Sequence, residues 1–290
     1  MIKKIIAIGA HYDDIEVRCG GSFAKFSRAG YGCTYVVVTT TPHYNPTVEE
    51  KRLKKYPSNK EIIEIRKNES RNGAKILGAD EICFWDFKST YYYKPNSLDG
   101  VRFNGMKFDP EEYEYLMNHL PGREFILDAA RNPESVAFVA EFIRKRRPDI
   151  ILTHTPDDLH QEHYATATLV CKAVRKLATE GIVVKLYGWE PGSNGPMISF
   201  IPTNFVDMSE TIKTKLNSVD CFPSQHKNQQ AGLFRKSMRE RGRYWGDLIG
   251  VEYAEAFREF DLLKSGAFNE NFRINQDTKN FIKKFARYGL

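Results

Sequence analysis

The chain has 290 residues, 41% hydrophobic and 13% aromatic, which is enough apolar material for one sizeable α/β core. Its net charge of +6 is spread over short basic clusters with no stacking motif or zinc finger, which excludes nucleic acid as the expected partner. Mean hydropathy is −0.50 and no apolar run is long enough to span a membrane. Five scattered cysteines without a C-x-x-C exclude a disulfide framework, so a reduced, cytoplasmic protein is expected. The apolar stretch in MIKKIIAIGAH is also too short for a signal peptide.

In chain order, the pattern predicts a strand over Lys3–Gly9 and a helix from Gly21 to Ala29. A strand follows at Thr34–Thr40, then a helix over Lys60–Leu77 closed by Gly78, and a short strand over Glu81–Trp85. Residues 88–132 are rich in Tyr, Asn, Pro and Gly and read as a lid or substrate-binding insertion. A helix at Pro133–Arg146, a strand at Asp149–His154 and a helix at Glu162–Ala178 come next. Strands at Val183–Trp189 and Phe205–Met208, a helix at Ser209–Val219 and a mostly helical carboxyl end complete the reading. Alternating strands and helices predict a single α/β domain over 1–290, with a mostly parallel sheet between helices.

Two polar clusters interrupt this pattern at strand ends, where open parallel sheets bind ligands. HYDD puts His11, Asp13 and Asp14 after the first strand, and HTPDDLHQEH puts His160 and His163 at a helix start, three residues apart. His11, Asp14 and His163 would give a metal two nitrogens and one oxygen, the donor set of a catalytic zinc. Asp13 could then take a proton from water acidified by the metal, and His160 could hydrogen-bond an oxyanion. Taken singly, Asp13 or Asp14 reads as a helix N-cap and the histidine pair as chance spacing. Gly20-Gly21 lacks the lysine and glycine pattern of a phosphate loop and reads as close packing.

AHYDDIEVRCGGS (10–22) resembles the A-H-P-D-D-x-E signature of the PIG-L/LmbE-like deacetylases, and HTPDDLHQEH (154–163) resembles their second motif. RKNESRNGAKILGAD (66–80), the segment ending in Ser224-Gln225, and EYAEAF (252–257) are similar to further family segments. The resemblance implies a Rossmann-like three-layer sandwich that hydrolyses the N-acetyl group of acetylated amino sugars or their conjugates. It implies zinc held by His11, Asp14 and His163, although the same ligands suit iron(II) or another divalent ion. It further implies Asp13 as general base, His160 stabilising the oxyanion, and Arg66 and Asp86 contacting substrate. Family members often form homo-oligomers.

The chain also departs from the family pattern. Tyr12 replaces a proline, which would loosen the loop carrying both aspartates. Arg18 stands where glycine is common, and Glu162 replaces an aspartate but could still orient a neighbouring ligand. Arg66 and Glu69 could instead be a surface pair. His43 reads as a loop residue, Trp189 as core although an aromatic at a strand end can stack on a sugar face, and Tyr91, Tyr92 and Tyr93 as loop contacts, an interface or a sugar platform, while His226 reads as lying off the site. Two other readings stay open: a sugar-binding protein without turnover, and a metal-dependent hydrolase of another bond.

Overall fold

The computed structural model describes residues 2–94, 100–102, 121–191, 200–225 and 229–260. The described part of the chain is one compact unit ending at Phe260; 261–290, which the single-domain expectation also covered, lie outside the described residues.

Strands buried on both faces form wherever the sequence offers a short continuous apolar run. β1 (Lys4–Gly9) is buried at five of its six positions, and β2 (Gly32–Thr39) and β6 (Ile150–Thr153) pair with it in parallel on either side. Ile5, Ile6 and Ile8 are at most 1% exposed, each contributing about 1.5–3 kcal/mol as an upper estimate. With β3 (Glu81–Phe87), β7 (Lys185–Trp189), β8 (Asn204–Asp207) and β9 (Ala254–Phe260), they make a seven-stranded sheet in the order β3-β2-β1-β6-β7-β9-β8. The chain leaves β1 toward β2 and later returns on β1's other side through β6. The carboxyl ends of β1 and β6 therefore flank a topological switch point.

Helices flank the sheet in two groups. α1 (Asp14–Arg28), α3 (Asn59–Leu77) and α7 (Ile212–Val219) pack together; α4 (Ile126–Ala129), α5 (Pro133–Arg146) and α6 (Gln161–Thr179) form the other group. The remaining helices among the described residues are α2 (Val48–Leu53) and α8 (Gln229–Ile249), the latter packed on β9. α3 starts at a capping box between Ser58 and Glu61 and stops at Gly78, whose φ of 80° suits glycine. Among the described residues, no helix is long and apolar enough to cross a membrane.

Two expectations are corrected. The first helix begins at Asp14, not Gly21, and runs through the glycine pair with a non-helical Cys19. Gly21 serves packing: a Cβ there would sit 2.4 Å from Met208 Sδ. The carboxyl end holds not only α8 but also β9, which inserts antiparallel between β7 and β8. Its AEAFREF hides a buried carboxylate, Glu255, which is paired with Lys215 of α7. Within 88–132, β4 (Tyr91–Tyr93) pairs antiparallel with β5 (Gly100–Arg102); 95–99 and 103–120, most of the expected lid, lie outside the described residues.

Candidate metal centre

The loop after β1 is held by its backbone. The Tyr12 carbonyl accepts hydrogen bonds from Ser70 Oγ (2.5 Å) and the Tyr35 hydroxyl (2.8 Å). The Tyr12 ring is fully buried beneath the Arg66 guanidinium, 5.1 Å from its centroid. These contacts anchor the turn where a proline would have stiffened it, so the substitution does not leave the loop without support. Asp13 occupies the N-cap position of α1 but makes no side-chain cap bond; its Oδ1 accepts from Arg66 Nη2 at 2.8 Å. Asp14 Oδ2 accepts the His11 backbone N–H at 2.6 Å, which turns its carboxylate back toward the His11 ring.

Three side chains converge beside this turn. His11 Nδ1 lies 3.4 Å from Asp14 Oδ2, His163 Nε2 lies 3.4 Å from Asp14 Oδ1, and the two ring nitrogens are 3.0 Å apart. Donor atoms around a tetrahedral ion with bonds of ~2.0–2.1 Å stand about 3.3 Å apart, so the triangle matches that spacing. The outer nitrogens are occupied by carboxylates, which only accept. His11 Nε2 faces Glu162 Oε2 at 2.6 Å, and His163 Nδ1 faces Asp158 Oδ2 at 2.9 Å. Their protons are thereby fixed outward and both inner lone pairs point at one spot. Glu162 is itself held by Ser89 Oγ, Thr90 N and Thr90 Oγ1, so the longer replacement for aspartate still orients a ring, that of His11.

His154 was not among the expected site residues. It is fully buried, with Nε2 3.1 Å from Asp14 Oδ2 and 3.0 Å from the Ala10 amide, while Nδ1 accepts from Trp189 Nε1 at 3.2 Å. Its ring stacks on His163 at 4.0 Å between centroids. In the sequence it ends a buried strand and opens the HTPDDLHQEH segment, and neither signal assigned it a role. Potential metal donors among the described residues therefore form two overlapping groups, His11 with His160 and His163, and Asp14 with His154 and His163.

Charge sets the rings apart. Burial pulls His11 down, but the carboxylates of Asp14 and Glu162 outweigh it and hold the imidazole up at about 10. Burial, reinforced by the rings of His11 and His163, pushes His160 down to about 3 and leaves it neutral near pH 7. Its Nδ1 is buried without a hydrogen-bond partner among the described residues. Burial and the His163 charge push His154 to about 4.

A cleft of about 230 Å³ opens beside these groups, lined by His11, Asp13, Arg66 and His160 and walled by His43 and Tyr91. Arg66 is 2% exposed and Glu69 6%, and Glu69 holds Ser224 rather than Arg66, so they are not a surface pair. Asp86 is not brought to the cleft: it sits at a φ of 55°, is ion-paired with Lys67 at 2.8 Å and does not line the cavity. His43 does line it, with Nδ1 2.7 Å from Gln225 Oε1; Trp189 is core, as expected, and His226 lies outside the described residues.

The model of a family described as PIG-L, GlcNAc-PI de-N-acetylase, matches residues 6–174. The chain is similar to a diacetylchitobiose deacetylase of Thermococcus kodakarensis, 24% identical over 265 residues, covering 89% of this chain and 83% of that one. In fold it resembles the N,N'-diacetylchitobiose deacetylase of Pyrococcus horikoshii, with a TM-score of 0.65 and 19% identity over 95% of this chain and 88% of that one. It also resembles GalB, the 4-carboxy-2-hydroxymuconate hydratase of Pseudomonas putida, with a TM-score of 0.61 and 20% identity over 89% and 96% of the two chains.

Proposed function

The chain belongs to the PIG-L family, and on that premise we propose that it removes the N-acetyl group from an acetylated amino sugar or sugar conjugate. The observation that carries this reading is the His11–Asp14–His163 triangle, whose inner lone pairs converge beside an open cleft that also holds Asp13. In this reading His11 Nδ1, Asp14 and His163 Nε2 hold a divalent ion, zinc by preference or iron(II). His154 serves as an orienting neighbour, since its Nδ1 accepts from Trp189 Nε1, which puts the ring proton on Nε2, facing Asp14 Oδ2. When bound, the ion lowers the pKa of water and polarises a carbonyl.

The protein groups do the rest. Arg66 fixes the Asp13 carboxylate, leaving it to take a proton from the attacking water and return one to the amine as the C–N bond breaks. The neutral His160 donates a hydrogen bond to the acetyl oxygen as negative charge develops there; such a donor contributes about 10²–10³ in rate. Acetate and a free amine leave. Arg66 also meets sugar hydroxyls at the cleft wall.

The test is acetate release from a panel of N-acetylglucosamine derivatives, with bound metal quantified. Turnover that vanishes on chelation and returns with added zinc or iron(II) supports the reading. A second reading, metal-dependent chemistry on another bond, is favoured by the fold shared with a hydratase. Bound metal without acetate from any sugar would favour it. Sugar binding with neither metal nor acetate would leave only a binding protein.

A further inference from the structure

A second cavity, of about 150 Å³, lies between α1, α8 and β9, away from the cleft residues. One water needs roughly 10–15 Å³, so the space holds a small ion with its waters. Three cations line it, Arg18, Lys215 and Arg241, against two carboxylates, Glu190 and Glu255. Both carboxylates are already engaged. Glu255 Oε1 takes Lys215 Nζ and the Gly21 N–H (3.1 Å), and its Oε2 takes the Ser22 N–H (2.7 Å). Glu190 Oε2 accepts from Trp245 Nε1 at 3.1 Å and faces Arg241 Nε at 3.4 Å.

Arg18 is the cation left over. Among the described residues it has no hydrogen bond or ion pair. Burial lowers its pKa and the Arg241 charge lowers it further, against the smaller pulls of Asp14, Asp158 and Glu190, so the two guanidiniums repel each other across a partly closed space. Glu190 Oε1 is buried with no donor among the described residues. The cavity therefore lacks two things among the described residues, a contacting anion for the Arg18 guanidinium and a proton donor for Glu190 Oε1. A protonated phosphate supplies both, because its oxygens fit the guanidinium fork and its hydroxyl can point to Glu190. Sulfate has no proton near pH 7 and supplies only the first.

We propose that this cavity is an inorganic phosphate site, anchored by Arg18 and Arg241, with Glu190 accepting the phosphate hydroxyl. The site lies one turn along α1 from Asp14, yet shares no residue with the cleft.

The test is calorimetric titration of the metal-loaded protein with inorganic phosphate at pH 7 and constant ionic strength, beside sulfate. We expect saturable one-to-one phosphate binding, with sulfate at least tenfold weaker. Arg18→Gln should weaken phosphate at least tenfold with metal content and circular dichroism unchanged; if it does not fold, Arg241→Gln gives the same reading. Absence of saturable binding overturns the proposal. So does phosphate binding indifferent to both substitutions, which would place the anion at the metal centre, and so does sulfate binding as tight as phosphate.

Discussion

Two buried charge clusters lie along α1, and they differ in what they leave open. Around Glu255 every oxygen is used: Lys215 and the amides of Gly21 and Ser22 saturate it. Around Asp14, carboxylates hold the outer edges of His11 and His163 while the inner nitrogens face each other at 3.0 Å with nothing to share but a proton or a metal. A saturated cluster is a structural joint, since buried polar groups that are fully paired rigidify a core. A cluster whose lone pairs converge is arranged for a ligand.

The comparison breaks most visibly at His163. His163→Ala should abolish metal binding and bring acetate release to background, with the fold retained by circular dichroism; stoichiometric metal in this variant would remove His163 from the ligand set. The opposite pattern is expected at the joint. Lys215→Met should cost about 3–5 kcal/mol in urea unfolding, because it strands the Glu255 charge, and leave metal content unchanged in the folded fraction. Adding Glu255→Gln should recover much of that loss, and a single variant as stable as wild type would show that the pair is not a joint.

Smaller effects sharpen the boundary. Glu162→Gln cannot both receive the His11 proton and accept from Ser89 and Thr90 with two oxygens, so metal affinity in chelator competition should fall about 10–100-fold. Unchanged affinity would show that the His11 ring is oriented by other contacts. At the surface, the hydrogen bond from Arg146 holds Glu81 below the usual carboxylate range. A depressed carboxylate contributes stability above its unfolded pKa of about 4.3, and that contribution is lost as pH falls through the folded value. Glu81→Gln should flatten the acid limb of the stability curve by under about 1 kcal/mol, since the pair is largely solvated. A larger change would give this exposed pair a weight that solvent screening should deny it.

The sequence carried this architecture unevenly. β1, β2 and β6 were legible because parallel strands buried on both faces read as unbroken apolar runs. His11, Asp13 and Asp14 stand out in the sequence because they directly follow such a run, and His160 and His163 because they share a helix start three residues apart; the structure brings these side chains into one cluster. β9 was not: its Glu255 is neutralised by a lysine forty residues away, a partner no local pattern announces. His154 was hidden for the same reason, since its partners Asp14 and Trp189 are distant in sequence. The start of α1 was missed because a glycine pair signals a break, whereas here Met208, just after β8, requires the missing side chain at Gly21.

The most direct test of the central claim, that His11, Asp14 and His163 hold the ion while Asp13 moves the proton, is Asp13→Asn measured for metal and turnover in one sample. The account predicts one bound metal per chain, as in wild type, with acetate release lower by about 10²–10⁴-fold. Turnover near wild type would contradict the role given to Asp13, and loss of the metal along with the activity would place Asp13 among the ligands instead.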